Sequence, residues 1–240
     1  MATLIRLSGV TTDNETLPSL ADYGSQPQTG LIDSIKMTAD ITANSVAGGA
    51  AMTEQSTATG GNVATWADGI ATLPDLSGTG EYHRFQMTND YASLNRTLAV
   101  IYRVPDTSRS QTLFGVSNGF NLLSSDSLTL NFNDGANQNV DVGSVTANVW
   151  NSVIVTEDDT GLRLVHNGGA IQAVNWADYA ATPATTNVTI FGRNSDTFSP
   201  YGEFAFLSAH NVALSDADLA NYAAGLAAFA AGVKGITIGG

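Results

Sequence analysis

Between Trp150 and Gly169 the chain changes character twice. Trp150, Val153 and Val155 open a run rich in β-branched and aromatic residues, the composition of a half-buried strand. Glu157-Asp158-Asp159-Thr160-Gly161 interrupts it with charge and a glycine, which is turn chemistry. Leu162, Leu164 and His166 then alternate with Arg163 and Val165, and Asn167-Gly168-Gly169 turns the chain again. Asn-Gly readily takes the positive φ of a tight hairpin turn. The spacing predicts two antiparallel strands joined by an acidic turn.

The same alternation recurs at intervals suited to a sandwich. Leu31, Ile32, Ile35 and Met37 mark a first strand, and further strands are expected over 82–88, 97–104, 112–116, 127–132 and 138–142. Asn133-Asp134-Gly135 separates the last two as a hairpin turn. From Ile41 to Gly61 the chain is mostly Ala, Gly, Thr and Ser, the composition of a long surface loop. One helix is expected after Leu214. Ser215 with Asp218 resembles a capping box, Leu214 and Leu219 are placed as a hydrophobic staple, and Leu219, Tyr222, Leu226 and Phe229 form one apolar stripe. Gly232 is its expected stop, and packing on one end of a sandwich its expected place.

Several of these segments resemble laminin-G-like, concanavalin-A-like jelly-roll domains. The likeness lies in the Trp150–Gly169 hairpin, in Asn187-Val188-Thr189-Ile190-Phe191-Gly192-Arg193, in the strand from Tyr201 to Ser208, and in Val212 to Leu219, which is similar to that family's closing helix start. The resemblance implies an all-β, antiparallel two-sheet β-sandwich with one C-terminal α-helix. It places the domain at residues 27–235, after an N-terminal arm or linker of residues 1–26 and before a tail of residues 236–240. An extra edge strand of the same sandwich is the other account of residues 1–26. The superfold carries lectins, glycosidases, adhesion modules and viral coat parts, so it implies a fold more than a function. Trp150, Val153, Val155, Leu162, Leu164, Ile190, Phe204 and Phe206 are its expected core.

With 240 residues and 43% hydrophobic content, one sandwich can bury a full core without staples. There is no cysteine, which removes disulfides and thiolate metal sites. The formal net charge is −13, and such a surface repels nucleic acid and anionic membranes. No apolar run has the length of a bilayer span, and no signal-peptide pattern opens the chain, so a protein made in a cytosol and not exported is expected.

Catalytic signals are weak. Gly115-Val116-Ser117-Asn118-Gly119 has nucleophile-elbow spacing, but Phe120 to Asp126 after it is short, polar at intervals and runs directly into the next expected strand instead of opening a helix, so a β-turn is expected. No E-x-D-x-x-E carboxylate set of the glycosidase kind occurs. Glu157, Asp158 and Asp159 would fan into solvent from a turn. Asp134, Asp158 and Asp159 are loop carboxylates for a calcium ion, with a solvated turn as the alternative; no other cofactor is expected. His83, His166 and His210 lack zinc spacing. For a sugar, Trp176, Tyr179, Asp196, Phe198 and Tyr201 combine ring faces with a carboxylate in turn-rich segments; packing on the sandwich rim is their alternative.

Three function classes remain. A non-enzymatic bacteriophage virion protein (capsid decoration, fibre or tail component) suits the low-lysine, Thr/Ala/Asn/Gly-rich composition and the expected lack of export. It would be assembled in the host cytoplasm, contact other virion proteins, form a homo-oligomer and possess the capacity to bind host polysaccharide. A carbohydrate-binding or adhesion module of a cellular surface protein comes second, and a polysaccharide-active enzyme last. The apolar stub Leu4-Ile5-Arg6-Leu7 is the expected docking strand, adding to a neighbour's sheet edge.

Overall fold

Branched aliphatic and aromatic residues dominate Arg96–Arg103 and Trp150–Glu157, and these segments lie side by side in the middle of one sheet. The structure is a computed structural model, and it describes residues 31–35, 52–87, 95–116, 119–132, 138–179, 188–192 and 198–239. In chain order the strands are β1 (Leu31–Ile35), β2 (Thr53–Glu54), β3 (Thr65–Ala67), β4 (Ile70–Leu73), β5 (Phe85–Gln86), β6 (Arg96–Arg103), β7 (Gln111–Val116) and β8 (Phe120–Ser124). They continue with β9 (Ser127–Phe132), β10 (Gln138–Ser144), β11 (Trp150–Glu157), β12 (Gly161–His166), β13 (Gln172–Asn175), β14 (Val188–Ile190) and β15 (Gly202–His210). A single long helix, α1 (Asp216–Lys234), follows.

Two antiparallel sheets form a β-sandwich. One has eight strands in the order β13-β12-β11-β6-β15-β4-β3, with β1 sharing the β4 side of β15; the other runs β10-β9-β8-β7-β14-β5-β2. Leu98, Val100 and Tyr102 of β6 and Val153 and Val155 of β11 enter the core between the sheets, with Leu122, Leu130 and Phe132 among those opposite. The alternate residues Ala99, Ile101, Trp150 and Ile154 point the other way, onto Leu219, Tyr222, Leu226 and Phe229 of α1. The helix therefore covers a face of the eight-stranded sheet and does not sit on one end of the sandwich. This is why β11 is buried along its whole length, where the sequence pattern predicts a half-buried strand. All eight expected core residues are buried, with Trp150 and Phe206 on the helix side.

Parity along β15 would not permit this without a bulge. Phe204 pairs with Tyr102 and Phe206 with Ile101, leaving Ala205 as the extra residue. Phe204 faces the inter-sheet core, Ala205 and Phe206 both face the helix, and Leu207 and Ala209 return to the core.

The differences from the sequence expectations have local causes. The segment after Gly119 is strand β8, alternating Phe120 and Leu122 inward with Asn121 outward. Asp68-Gly69, both at positive φ, join β3 to β4 as a two-residue hairpin. Of the expected 82–88 strand only Phe85–Gln86 pairs, and β13 adds an edge strand that the pattern does not signal. Thr53–Glu54 is a short edge strand within the expected surface loop. Ser215 caps α1, accepting from the Asp218 N–H at 3.2 Å, while the stop is Gly235 in the left-handed region and not Gly232. The approach to the helix is tied by Thr97 and Thr156, an opposed pair on β6 and β11. Their hydroxyls meet at 2.8 Å, Thr156 Oγ1 accepts from the Leu214 N–H at 3.0 Å, and Thr97 Oγ1 donates to the Val212 carbonyl at 2.8 Å.

The acidic turn is also not as expected. Glu157 is buried and forms an ion pair with the equally buried Arg96, its cross-strand neighbour. Burial pushes the Glu157 carboxyl above its usual range, with the Arg96 hydrogen bond and charge pulling it back. A carboxyl that holds its proton more tightly folded than unfolded contributes stability at low pH and loses it as pH rises through the raised value. Arg96→Met alone should cost about 3–5 kcal/mol by stranding the carboxylate, whereas Arg96→Met with Glu157→Leu should be neutral or stabilising. Urea titrations of the three proteins measure this. In the same assay Trp150→Ala should lose about 3–5 kcal/mol, the cost of emptying the space between sheet and helix.

Candidate functional site: a cleft at the end of the eight-stranded sheet

Where α1 stops covering the sheet, polar residues replace apolar ones on the same face. Glu203 at the start of β15 stands opposite Thr72 on β4 and Arg103 on β6, and Arg103 stands opposite Trp150 on β11. Opposed residues share a face, so these four form one row across four strands. Thr72, Glu203 and Arg103 of this row, with Leu73, Asp75, Pro105, Asp106, Asn148, Tyr201 and Gly202, line a cleft of about 490 Å³.

Each wall has an identifiable support. Arg103 and Glu203 form an ion pair, 36% and 28% exposed, and the Arg103 guanidinium lies 4.9 Å from the centre of the Trp150 ring. The tail beyond α1 holds that tryptophan: Ile238 bridges to Trp150, and the Gly239 N–H donates to its carbonyl at 2.9 Å. Tyr201 is anchored at both ends, its N–H donating to Gln111 Oε1 at 3.0 Å and its hydroxyl to the Asp106 carbonyl at 3.0 Å. The Arg109 guanidinium lies 4.4 Å from the Tyr201 ring centre and pairs with Asp75. Burial, then the Asp106 charge, raises the Tyr201 phenol, so it is a neutral donor at neutral pH. Asp106 is held below the usual carboxylate range by Ser108, whose hydroxyl and N–H donate at 2.6 and 2.8 Å. Asn148 sits at φ 61°, where asparagine is tolerated, with its N–H on the Val104 carbonyl at 2.7 Å.

Of the residues singled out for sugar, Tyr201 lines this cleft. Trp176 does not reach it. Its ring is 5% exposed, edge-on to Phe132 at 5.7 Å, and its Nε1–H donates to the Asp158 carbonyl at 2.9 Å, so it anchors the rim and offers no open face. Tyr179 ends the same 3-10 turn, Trp176–Tyr179, and Phe198 is half-buried. Asp196, Asp134, Ser117 and Leu4, Ile5, Arg6 and Leu7 lie outside the described residues.

The Asp158 carboxylate closes its own turn. It accepts from the Thr160 N–H at 2.8 Å, the Gly161 N–H at 3.2 Å and Arg163 at 3.3 Å, while Asp159 is exposed. Among the described residues no group of three or more His, Cys, Asp or Glu side chains is placed to hold a metal ion. Nor is any described helix long and apolar enough to cross a membrane.

Arg103, Asp106, Asn148 and Glu203 escape sequence reasoning as site residues because two strands, β6 and β15, and two connecting segments bring them together. The positive φ at Asn148 has a weak sequence signal, an asparagine just before a strand. A second polar surface crosses the outer face of the seven-stranded sheet, where Asn139, Asn131 and Asn121 stand in register. Its middle is closed: Asn121 and Thr112 are buried, with Asn121 Nδ2 and Thr112 Oγ1 lacking partners. The cleft, by contrast, is open.

No protein-family model matches the chain, and no curated protein matches it. Solved structures do resemble it. Domain 4 of AbnA, an extracellular arabinanase from Geobacillus stearothermophilus, in complex with arabinotriose, aligns at TM-score 0.60 and 14% identity over 82% of this chain and 100% of that one. The binding domain of botulinum neurotoxin DC, in complex with rat synaptotagmin II, aligns at 0.58 and 13% over 82% of this chain and 52% of its own. The serotype G binding domain aligns at 0.58 and 10% over 80% and 50%. This chain thus matches about half the length of the neurotoxin domains. At such identities the likeness establishes the β-sandwich.

Gly202 makes the cleft possible. Its φ is 113°, and a Cβ there would overlap the Arg103 carbonyl oxygen. Gly202→Ala should destabilise the protein by about 2 kcal/mol or more, read as a lowered urea midpoint; an unchanged midpoint would show that the strands have room to part.

Proposed function

We propose that this chain is a non-catalytic binding module that takes an oligosaccharide into the cleft between Tyr201, Arg103, Glu203, Asp106 and Asn148. The observation that carries the reading is the convergence of paired charges and an amide on one open cavity of about 490 Å³, with Leu73, Pro105 and the mostly buried Tyr201 beside them. Sugar recognition needs orienting hydrogen-bond groups beside apolar surface, and here these come from strand ends on a rigid sheet. Two structural neighbours were solved with glycans, the arabinanase domain with arabinotriose and a neurotoxin DC binding domain with SialylT, which supports a carbohydrate over other small ligands. A glycan array followed by calorimetry tests it. Glu203→Ala should weaken binding about tenfold or more while changing stability by less than about 1 kcal/mol, because the ion pair it removes is part-exposed. Tight binding that survives both Glu203→Ala and Arg103→Ala would place the site elsewhere.

The finer reading is that the module belongs to a bacteriophage particle as decoration, fibre or tail, docked on a virion partner or sister subunit through Leu4-Ile5-Arg6-Leu7. Its support is composition: two lysines in 240 residues and a surface rich in Thr, Ala, Asn and Gly. None of the neighbours named above is a virion protein. Deleting residues 1–26 should leave a cooperatively folding monomer that no longer joins the particle or oligomer, as read by sedimentation. Loss of folding on deletion would make the segment a strand of the sandwich instead.

A further inference from the structure

We propose that the cleft selects uncharged oligosaccharides and rejects those bearing carboxylate or sulfate groups. This rests on the binding-module reading above and adds the class of ligand.

The positive charge at the cleft is already shared with the protein's own carboxylates. Arg103 directs Nε and Nη2 at the same Glu203 oxygen, so one edge of the guanidinium and most of its charge are matched by Glu203. Arg109 is paired with Asp75 and lies across the Tyr201 ring. The third carboxylate, Asp106, meets the neutral donors of Ser108. The lining therefore carries three carboxylates, Asp75, Asp106 and Glu203, against one guanidinium, Arg103, which is already paired. Asp106 remains ionised at neutral pH because the Ser108 bonds hold it low.

What such walls offer a ligand is mostly acceptors. An ionised carboxylate only accepts hydrogen bonds, and sugar hydroxyls have protons to donate, whereas a ligand carboxylate or sulfate has none. An acidic sugar would meet Asp106 and Glu203 acceptor to acceptor and charge to like charge, and the lining guanidinium, Arg103, already has Glu203 as its counter-charge. The field of the whole chain, at net −13, opposes its approach as well. The two neighbours solved with glycans differ on this point of chemistry, one holding an arabinose oligomer and one SialylT; the charges here favour the neutral kind.

The test uses the full chain and two pairs of probes: sialyllactose against its neutral carboxyl methyl ester, which differ in one charge, and arabinotriose against the trisaccharide oxidised to its aldonic acid, which gains a carboxylate and opens its terminal ring. Titration calorimetry at low ionic strength should find the acidic member of each pair weaker by about tenfold or more. Added salt should narrow the gap through screening. Asp106→Asn, which keeps the acceptor for Ser108 and removes the charge, should narrow it without salt, with thermal melts confirming that the fold is retained. Acidic members binding as tightly as their neutral partners, or more tightly, would overturn the selectivity while leaving the module a glycan binder. Failure of all four probes, repeated with a broad array of neutral glycans, would overturn the binding reading itself and the selectivity with it.

Discussion

A sheet buried on both faces governs this molecule. The eight-stranded sheet packs one side against its partner sheet and the other against α1, so its central strands have no solvent face on which to place polar side chains. Polar chemistry is displaced to the strand ends. β6 shows this directly, with an arginine at each end and apolar or small residues through most of its middle. Seven positions separate Arg96 from Arg103, an odd number, so period-two alternation puts them on opposite faces. Arg96 turns into the inter-sheet core, where Glu157 neutralises it; Arg103 turns to the helix side, beyond the helix's reach, where Glu203 meets it beside water. One pair locks strand register in the dark, and the other walls a cleft.

The Ala205 bulge decides which residues of β15 serve which layer. Without the extra residue, Phe206, Ser208 and His210 would continue the inward phase of Phe204 and carry a hydroxyl and an imidazole between the sheets. With it, Leu207 and Ala209 enter the core, and Ser208 and His210 face α1, where both meet Tyr222. The bulge therefore lets one strand fill an apolar core on one side and anchor a helix on the other. It leaves Glu203, before the bulge, on the cleft side in register with Arg103.

Much of the fold is legible because its signals are local. The β11–β12 hairpin, the Ser215 cap and the Asn167-Gly168 turn each follow from a few adjacent residues, and the structure contains all three. What escapes is non-local. Alternation marks a face as apolar but does not say whether the other face is wet, so β11 reads as half-buried until the helix is seen lying on it. Glu157 looks like one of three solvated acids because the arginine that draws it inward is 61 residues away. Trp176 looks like a sugar platform because nothing nearby in sequence reveals Phe132 or the Asp158 carbonyl. The cleft is the extreme case, its walls coming from β4, β6, β15 and four connecting segments.

The state of the carboxylates bears on whether such a cleft would do chemistry. A general acid at neutral pH needs a carboxyl whose affinity for protons is raised and which a substrate can touch. Among the described residues the carboxyl pushed upward is Glu157, and it is sealed between the sheets against Arg96. In the cleft the reverse holds. Asp106 is driven toward its charged form by Ser108, and Glu203 and Asp75 are engaged by guanidinium groups. Glu157 thus combines raised proton affinity with burial, and Asp106 combines lowered affinity with exposure. An ionised carboxylate fixed at a strand end, as Asp106 is just beyond β6, accepts hydrogen bonds from hydroxyl protons.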